Sequence, residues 1–371
     1  MNSRKLKKKA AIGAVAVLAL AACGGGTGGE ASGDEPIRVR YVTGQPESPS
    51  YSQTVAWWAE EVEKRTDGAV DIELFFNGSL VTSEDTLGAL ASGGTAELGF
   101  VTPAYAPTEF PLWNISSVVF TTDNAEARMN AFYDQYENND LFRAEFDNRG
   151  IEVLAFDPIG PAALAATEPV TELGDLDGLR IRAVGLISEA LEEIGARPAA
   201  VAAEEIYESV ERGTLDGITA APFDSLDGFG MDEVAPHITA TGAGTYISTA
   251  IAANKEWWDS LPEDVKAVME EVSEELKTYS VELLMELEAT ACDLFVGVDG
   301  SVQVLSDADM QEWEDTASDR VKGKWLSDAT ASGLSEEDAN AFLEEHFDLV
   351  AEKEAESSYT SGMAECAEQQ G

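Results

Sequence analysis

Histidine, cysteine and basic residues are scarce in this sequence of 371 residues. It has two histidines, three cysteines and 23 lysine and arginine residues against 70 aspartate and glutamate residues, which gives a formal net charge of -47. A protein that binds nucleic acid or anionic lipid through surface charge needs a basic stripe or patch, and this composition argues against both. Such acidity is typical of a protein that works in a salty exterior, where counterions screen its self-repulsion.

Catalytic and metal-binding motifs are also missing. His237 and His346 have no cysteine near them in sequence that would complete a zinc-site spacing. G-x-S-x-G, a Walker loop, G-x-G-x-x-G after a strand and the calcium loop of an EF-hand are absent. We therefore predict no catalytic residue, no metal site and no cofactor. An enzyme that uses paired carboxylates and a calcium-binding protein stay open as alternatives.

The longest uncharged apolar run lies near the start, from Ala10 to Ala22, and is too short for an ordinary membrane span. Basic residues precede it, and Leu20-Ala21-Ala22-Cys23 resembles the lipobox of bacterial lipoproteins. We predict a lipoprotein signal peptide at 1–22, lipidation of Cys23 and a flexible tether at 23–36. The alternative is an ordinary secretory signal that contains a cysteine.

Two further cysteines, Cys292 and Cys366, lie in the second half of the chain. Export would place them in an oxidising compartment, where an even number of cysteines usually forms disulfides. We predict a disulfide between them. Two buried free thiols are the alternative.

The most informative stretch runs from Gly178 to Leu226, where strand-like and helix-like patterns alternate. We predict strands at 179–183, 198–201 and 215–220, and helices at 188–194 and 204–212. Such alternation is typical of an α/β fold with a parallel sheet that binds its ligand at the carboxyl ends of the strands.

Two arginines, Arg180 and Arg182, flank Ile181 in the first of these strands. Because side chains alternate across a strand, both arginines share one face. Arg182 ends the strand before a glycine-containing loop, where a guanidinium is well placed to grip a carboxylate through two parallel hydrogen bonds. A surface arginine paired with a nearby acid is the alternative.

The same stretch resembles the signature segment of the substrate-binding proteins of TRAP transporters, the DctP family. The family patterns LKGLKIR, ALGA-x-P, S-E-x-Y and G-x-V-D-G are matched in order by Asp177–Arg182, Ile194–Pro198, Glu205–Tyr207 and Gly213–Gly217. The resemblance extends from about Ile37 to the helix before Phe295. It implies an α/β, two-lobed type II periplasmic-binding-protein fold with a long helix, here 263–295, that spans both lobes.

The resemblance also implies lobe boundaries. We expect lobe 1 at 37–158 with 244–275, and lobe 2 at 159–243 with 276–371. The sequence also contains an internal repeat: Ala89–Pro103 and Glu208–Pro222 share one order of helix, glycine break, acidic residue, strand and proline-containing loop. Such a repeat is consistent with two similar lobes. Outside the signature stretch we predict a helical segment over 125–146, a strand over 242–253 and tail helices at 307–329 and 335–349.

The candidate binding residues follow from this arrangement. Arg182 is the expected anion clamp, and the opposite lip of the cleft offers Thr102 and Tyr105. The rest of the candidate set is Gln45, Phe156 and Phe223. Pro161 and Ala162 stand where dicarboxylate and sialic-acid binders of the family often carry a second arginine. With Arg182 as the single expected cation in the cleft, we predict that the ligand is a monocarboxylate, because a second buried carboxylate would stay unpaired.

The resemblance therefore implies an extracytoplasmic solute receptor that binds a small organic acid between its lobes and delivers it to the membrane subunits of a TRAP transporter. We expect a monomer held at the cell membrane by its lipid anchor, with no enzymatic activity and no nucleic-acid partner. The alternative is a ligand-sensing lipoprotein that docks on a membrane receptor without transport.

Overall fold

Two β-sheets flanked by helices form the frame of the molecule. The computed structural model describes residues 35–298 and 300–370. The signal peptide, Cys23 and nearly all of the tether that the sequence predicts lie outside the described residues. The strands are β1 Ile37–Val42, β2 Val70–Phe75, β3 Leu98–Val101, β4 Ile151–Phe156, β5 Ala163–Ala166, β6 Arg180–Arg182, β7 Arg197–Ala199, β8 Gly217–Ile218, β9 His237–Ala240, β10 Ala250–Asn254 and β11 Ser301–Val304.

The helices lie on the faces of these sheets and along the boundary between them. They are α1 Ser50–Arg65, α2 Thr86–Ser92, α3 Ala125–Asn138, α4 Asp140–Asp147, α5 Ile187–Glu193, α6 Ile206–Glu211, α7 Met231–Val234, α8 Lys255–Ser260, α9 Glu263–Gly297, α10 Asp307–Ala331, α11 Glu336–Glu354 and α12 Gly362–Gln370. None of the helices in the described part is both long and apolar enough to cross a membrane.

The first sheet has the strand order β2-β1-β3-β10-β4, and the second has the order β11-β9-β5-β8-β6-β7. Strands β6, β7 and β8 are parallel, as the alternation in the sequence predicts. The chain crosses between the sheets through residues 157–162 and returns through 241–249. Strand β10 then runs antiparallel to its neighbours β3 and β4.

Helix α9 joins the two halves. Its 35 residues make a rod of roughly 50 Å at 1.5 Å per residue. Met269 and Leu276 near its start pack in the core of the first sheet, whereas Cys292 and Phe295 near its end pack in the core of the second. The expectation of a long helix that spans both lobes is confirmed.

The C-terminal helices contact both halves of the molecule, because α10 packs on α5 while α11 packs on α3. The lobe boundaries stay a prediction for this reason. Both helices extend a few residues beyond the ranges expected from the sequence.

One expectation for a single element is refined by the structure, and another is wrong. The segment 125–146 is helical as predicted, but it forms two helices, because the Asn139 side chain accepts hydrogen bonds from the backbone N–H groups of Leu141 and Phe142 and so caps a new helix. The strand expected over 242–253 begins only at Ala250. The residues before it form the return crossover, where Thr245 donates its backbone N–H to the carbonyl of Thr122 rather than to a neighbouring strand.

Candidate ligand-binding site

A cavity lies between the two sheets, at the carboxyl ends of β3 and β6. It encloses about 440 Å³ of empty space, including its opening to solvent. Gln45, Thr102 and Tyr105 line it from the first sheet's side, and Arg182 lines it from the second. The structure therefore brings four of the six candidate binding residues to one cavity. Their contacts with a ligand stay a prediction.

Arg182 is the charged centre of this cavity. Its side chain is 3% exposed, and backbone carbonyl groups hold its guanidinium. Nε donates to the carbonyl of Val201 at 3.1 Å, and Nη1 donates to those of Thr219 and Ala220 at 3.3 and 3.0 Å. Nη2 donates to the hydroxyl of Tyr105 at 3.2 Å. Across residues 35–298 and 300–370, the ion pairs formed by acidic side chains do not include Arg182.

This arrangement limits how a carboxylate can approach. A carboxylate forms two parallel hydrogen bonds with a guanidinium only if two neighbouring nitrogens have free N–H groups. In Arg182 the N–H groups of Nε and Nη1 already donate to backbone carbonyl groups. Nη2 has two hydrogens, of which one points to Tyr105. The Tyr105 hydroxyl accepts that bond and keeps its own hydrogen to donate. The site thus offers an anion one N–H group of Arg182 and the hydroxyl of Tyr105, in place of the planar two-point grip that the sequence suggests.

Arg180, on the same strand, is a structural residue. Its Nε donates to Oδ2 of Asp216 at 2.9 Å and its Nη2 donates to Oδ1 of the same carboxylate at 2.5 Å. These hydrogen bonds are the main reason that the pKa of Asp216 lies below its usual range. The pairing with a nearby acid, which the sequence leaves open for either arginine, is found at Arg180.

Phe156 and Phe223 do not line the cavity, contrary to expectation. Phe156 is buried in an aromatic cluster with Trp113, Phe132 and Phe146. Phe223 is fully buried in the second core, 5.9 Å from Phe295 between ring centroids. Phe156 ends β4 and Phe223 begins a short 3₁₀ helix after β8, but each side chain packs in a hydrophobic core and not in the cavity.

Several lining residues were not predicted from the sequence. The described lining also includes Tyr51, Phe100, Phe229, Ile247 and Thr249. Tyr51 and Phe100 pack with ring centroids 5.4 Å apart. Burial raises the pKa of Tyr51 well above its ordinary value, so its hydroxyl stays protonated. The position of Tyr51 in the first turn of a helix that follows β1 is the one signal that could have identified it.

Buried carboxyl groups lie beside the cavity. Asp157 accepts hydrogen bonds from Oγ1 of Thr249 at 2.9 Å and of Thr54 at 3.3 Å. Burial raises the pKa of Asp157 to about 7. Asp224 accepts the backbone N–H of Ser50 at 2.8 Å, and burial raises its pKa to about 6. At neutral pH Asp224 is mostly ionised and Asp157 is partly ionised, and this negative charge near the cavity disfavours a second carboxylate in the ligand.

The family of this chain is shown by its similarity to known proteins. A family model described as bacterial extracellular solute-binding protein, family 7, DctP, matches residues 41–327. The chain belongs to this family. The predicted family and its two-lobed fold are confirmed, and the chain is a solute receptor of the TRAP type.

Individual members of the DctP family show how far the likeness extends. The C4-dicarboxylate-binding periplasmic protein DctP of Rhodobacter capsulatus is 28% identical over 249 residues, which cover 66% of this chain and 73% of that protein. A solved TRAP periplasmic solute-binding protein from Desulfovibrio salexigens is 28% identical with a TM-score of 0.67, covering 87% of this chain and 98% of that chain. Another from Bordetella bronchiseptica, with bound (R)- and (S)-mandelate, is 25% identical with a TM-score of 0.71, covering 85% and 99%.

Proposed function

We propose that this DctP-family receptor binds a small organic monocarboxylate with an apolar or aromatic body and hands it to TRAP membrane subunits. The observation that carries the proposal is the buried guanidinium of Arg182, which makes no ion pair with an acidic side chain in the described residues. A buried charge without a counter-ion costs several kcal/mol. A ligand carboxylate at Nη2 and the Tyr105 hydroxyl would supply that counter-ion.

The rest of the cavity favours one carboxylate over two. Arg182 is the one lysine or arginine among its described lining residues, and Tyr51, Phe100, Phe229 and Ile247 give it apolar walls. Asp157 and Asp224 lie behind these walls. Mandelate, which the Bordetella protein contains, has this chemistry: one carboxylate, one hydroxyl group and an aromatic ring.

Hydrogen bonds across the cleft support binding by closure of the two lobes. Besides the contact between Tyr105 and Arg182, the backbone N–H of Ser83 donates to Oε1 of Glu204 at 2.8 Å. Such contacts exist only when the walls are close. A ligand that touches both walls therefore binds the closed state more tightly than the open state, and its binding shifts the population toward closure.

The proposal extends to the way the receptor is held outside the cell. The sequence Leu20-Ala21-Ala22-Cys23 and the polar tether after it support a lipid anchor at Cys23. The Cα atoms of Cys292 and Cys366 are 5.6 Å apart, within the range of disulfides, which supports a bond between them in an oxidising compartment. We expect the receptor to act as a monomer.

Calorimetry with matched acids tests the ligand class. Benzoate, phenylacetate and mandelate are compared with phthalate, malate and their uncharged amides, using wild type and Arg182→Ala. We expect monocarboxylates to bind most tightly, and Arg182→Ala to lose about 2–5 kcal/mol of binding free energy. Arg180→Ala is the matched control, because Arg180 shares the strand but faces Asp216. Tighter binding of the dicarboxylates, or unchanged affinity in Arg182→Ala, would overturn the proposal.

A further inference from the structure

Behind Arg182 lies a second layer of contacts that starts at Tyr246. The Tyr246 side chain is 2% exposed and stands in the return crossover, residues 241–249. Its hydroxyl accepts the backbone N–H of Ala220 at 2.9 Å and is hydrogen-bonded to Oγ1 of Thr219. The carbonyl groups of the same two residues accept the hydrogen bonds of Arg182 Nη1. Through the Ala220 N–H and the Thr219 side chain, this hydroxyl group therefore holds the Thr219–Ala220 peptide unit, whose carbonyl accepts one of the hydrogen bonds of the guanidinium.

The backbone at Ala220 needs such a support. Its φ angle is +56°, in the left-handed region. That region is disfavoured for alanine, because Cβ approaches the following carbonyl oxygen. An alanine stays there only where surrounding contacts enforce it. The hydrogen bond from the Ala220 N–H to Tyr246 is such a contact. Because the Ala220 N–H and the Thr219 carbonyl belong to one peptide plane, the bond also orients the Thr219 carbonyl toward Arg182.

The return crossover, which carries Tyr246, is itself held by backbone hydrogen bonds to other segments that lie between the sheets. Thr245 donates its backbone N–H to the carbonyl of Thr122, and Gly244 accepts the backbone N–H of Ala162 in the other crossover. A movement of the crossovers, which link the two sheets, is therefore passed to the peptide units around Arg182 through Tyr246.

We propose that Tyr246 is a positioning residue for the anion clamp: it holds the Thr219–Ala220 backbone so that Arg182 Nη2 faces the cavity, and it links the return crossover to ligand affinity. The inference rests on the proposed function for the ligand that Arg182 meets. The orientation of the guanidinium itself is independent of any ligand. Burial raises the pKa of Tyr246 to about 12, so its hydroxyl stays protonated at physiological pH.

Nitrogen-15 NMR of arginine side chains tests the proposal without a ligand. A guanidinium held by carbonyl groups rotates slowly about its Nε–Cζ bond and gives separate Nη signals, whereas a free one gives a single averaged signal. The Arg182 signals are assigned by their loss in Arg182→Lys. We expect separate signals in wild type and averaged signals in Tyr246→Phe, which removes only the hydroxyl. Tyr136→Phe is the matched control, because the Tyr136 hydroxyl accepts the backbone N–H of Val153 at 3.2 Å, away from the cavity.

A second arm uses benzoate as the probe. If the displaced Arg182 Nη2 loses about 1 kcal/mol of its hydrogen bond to benzoate, binding weakens roughly fivefold, and we expect that change in Tyr246→Phe but not in Tyr136→Phe. Adding Ala220→Gly to Tyr246→Phe should restore part of the affinity, because glycine adopts a positive φ without steric cost. A hydroxyl that contributed only to folding stability would leave the affinity for benzoate unchanged in both variants.

The outcomes separate this inference from the proposed function. Averaged Nη signals for Arg182 in wild type, or separate signals that persist in Tyr246→Phe, overturn the positioning role. If wild type binds no organic acid but the Nη signals respond to Tyr246→Phe, the ligand class is wrong and the positioning role stands.

Discussion

The hydroxyl of Tyr105 accepts a hydrogen bond from Nη2 of Arg182 at 3.2 Å, and this bond joins the two walls of the cleft. Tyr105 ends a short 3₁₀ helix that follows β3, and Arg182 ends β6 in the other sheet. A carboxylate placed beside the pair can accept one hydrogen bond from each wall. We therefore expect anion binding and lobe closure to depend on the same two side chains.

Tyr105→Phe should weaken binding of a monocarboxylate through faster dissociation. The change removes the acceptor of Arg182 Nη2 and one donor to the ligand, and a hydrogen bond to a charged group contributes about 1.5–3 kcal/mol. Stopped-flow measurement of the dissociation rate checks this. Tyr207→Phe is the control, because its hydroxyl donates to Glu233 rather than lining the cavity. Equal dissociation rates in Tyr105→Phe and wild type would show that the interlobe bond plays no part in holding the ligand.

Arg182→Lys should bind poorly although it keeps the positive charge. A single ammonium group cannot donate to the carbonyls of Val201, Thr219 and Ala220 and also reach Tyr105 and the ligand. We expect a loss of about 2–5 kcal/mol in binding free energy by calorimetry, with cooperative unfolding retained. Wild-type affinity in the lysine variant would mean that the cavity needs charge alone.

Local sequence patterns and the family motifs predicted which residues near strand ends line the cavity. Alternation in β6, the glycine-containing loop after it and the ordered family motifs together placed Arg182 at the cavity. The internal repeat of the sequence placed Thr102 and Tyr105 at the same cavity. These residues lie at the cavity because a parallel sheet brings the carboxyl ends of its strands to one edge. Their role in binding stays a prediction.

Side-chain direction and loop packing could not be predicted in the same way. Phe156 and Phe223 have the expected position along the chain, but an aromatic ring at a strand end can face either the core or the cavity, and tertiary packing decides which. Phe229 and Ile247 reach the cavity from loops that carry no periodic pattern. At Asn139 a local cap interrupts a helical pattern, since a side-chain acceptor competes with helix continuation.

Removing the disulfide should lower stability. Cys292 and Cys366 are separated by 74 positions, and the chain-entropy model gives about 4 kcal/mol for closing a loop of that length. We expect Cys292→Ser with Cys366→Ser to unfold at lower denaturant concentration. Alkylation of unreduced wild type followed by intact-mass analysis should modify neither cysteine. Two modified thiols in exported protein would contradict the bond.

The last prediction concerns Glu288, which is fully buried in α9 beneath the first crossover. Its carboxyl group accepts hydrogen bonds from the Tyr359 hydroxyl at 2.9 Å and from the Gly362 backbone N–H at 2.8 Å. Burial raises the pKa of Glu288 to about 8. The folded state therefore binds this proton more tightly than the unfolded state does.

The sign of the pH dependence follows from that difference. Glu288 contributes its full stabilisation below about pH 4, which is the ordinary pKa of a glutamate in an unfolded chain. This contribution is lost as the pH rises through about 8, the pKa of Glu288 in the folded state. Asp157 and Asp224 have raised pKa values as well, so wild type should lose stability over the same range for several reasons. The difference between wild type and Glu288→Gln isolates one residue. We expect the unfolding free energy of Glu288→Gln, measured in urea from pH 5 to pH 9, to fall less steeply than that of wild type. Parallel curves would mean that Glu288 titrates alike in the folded and unfolded chain.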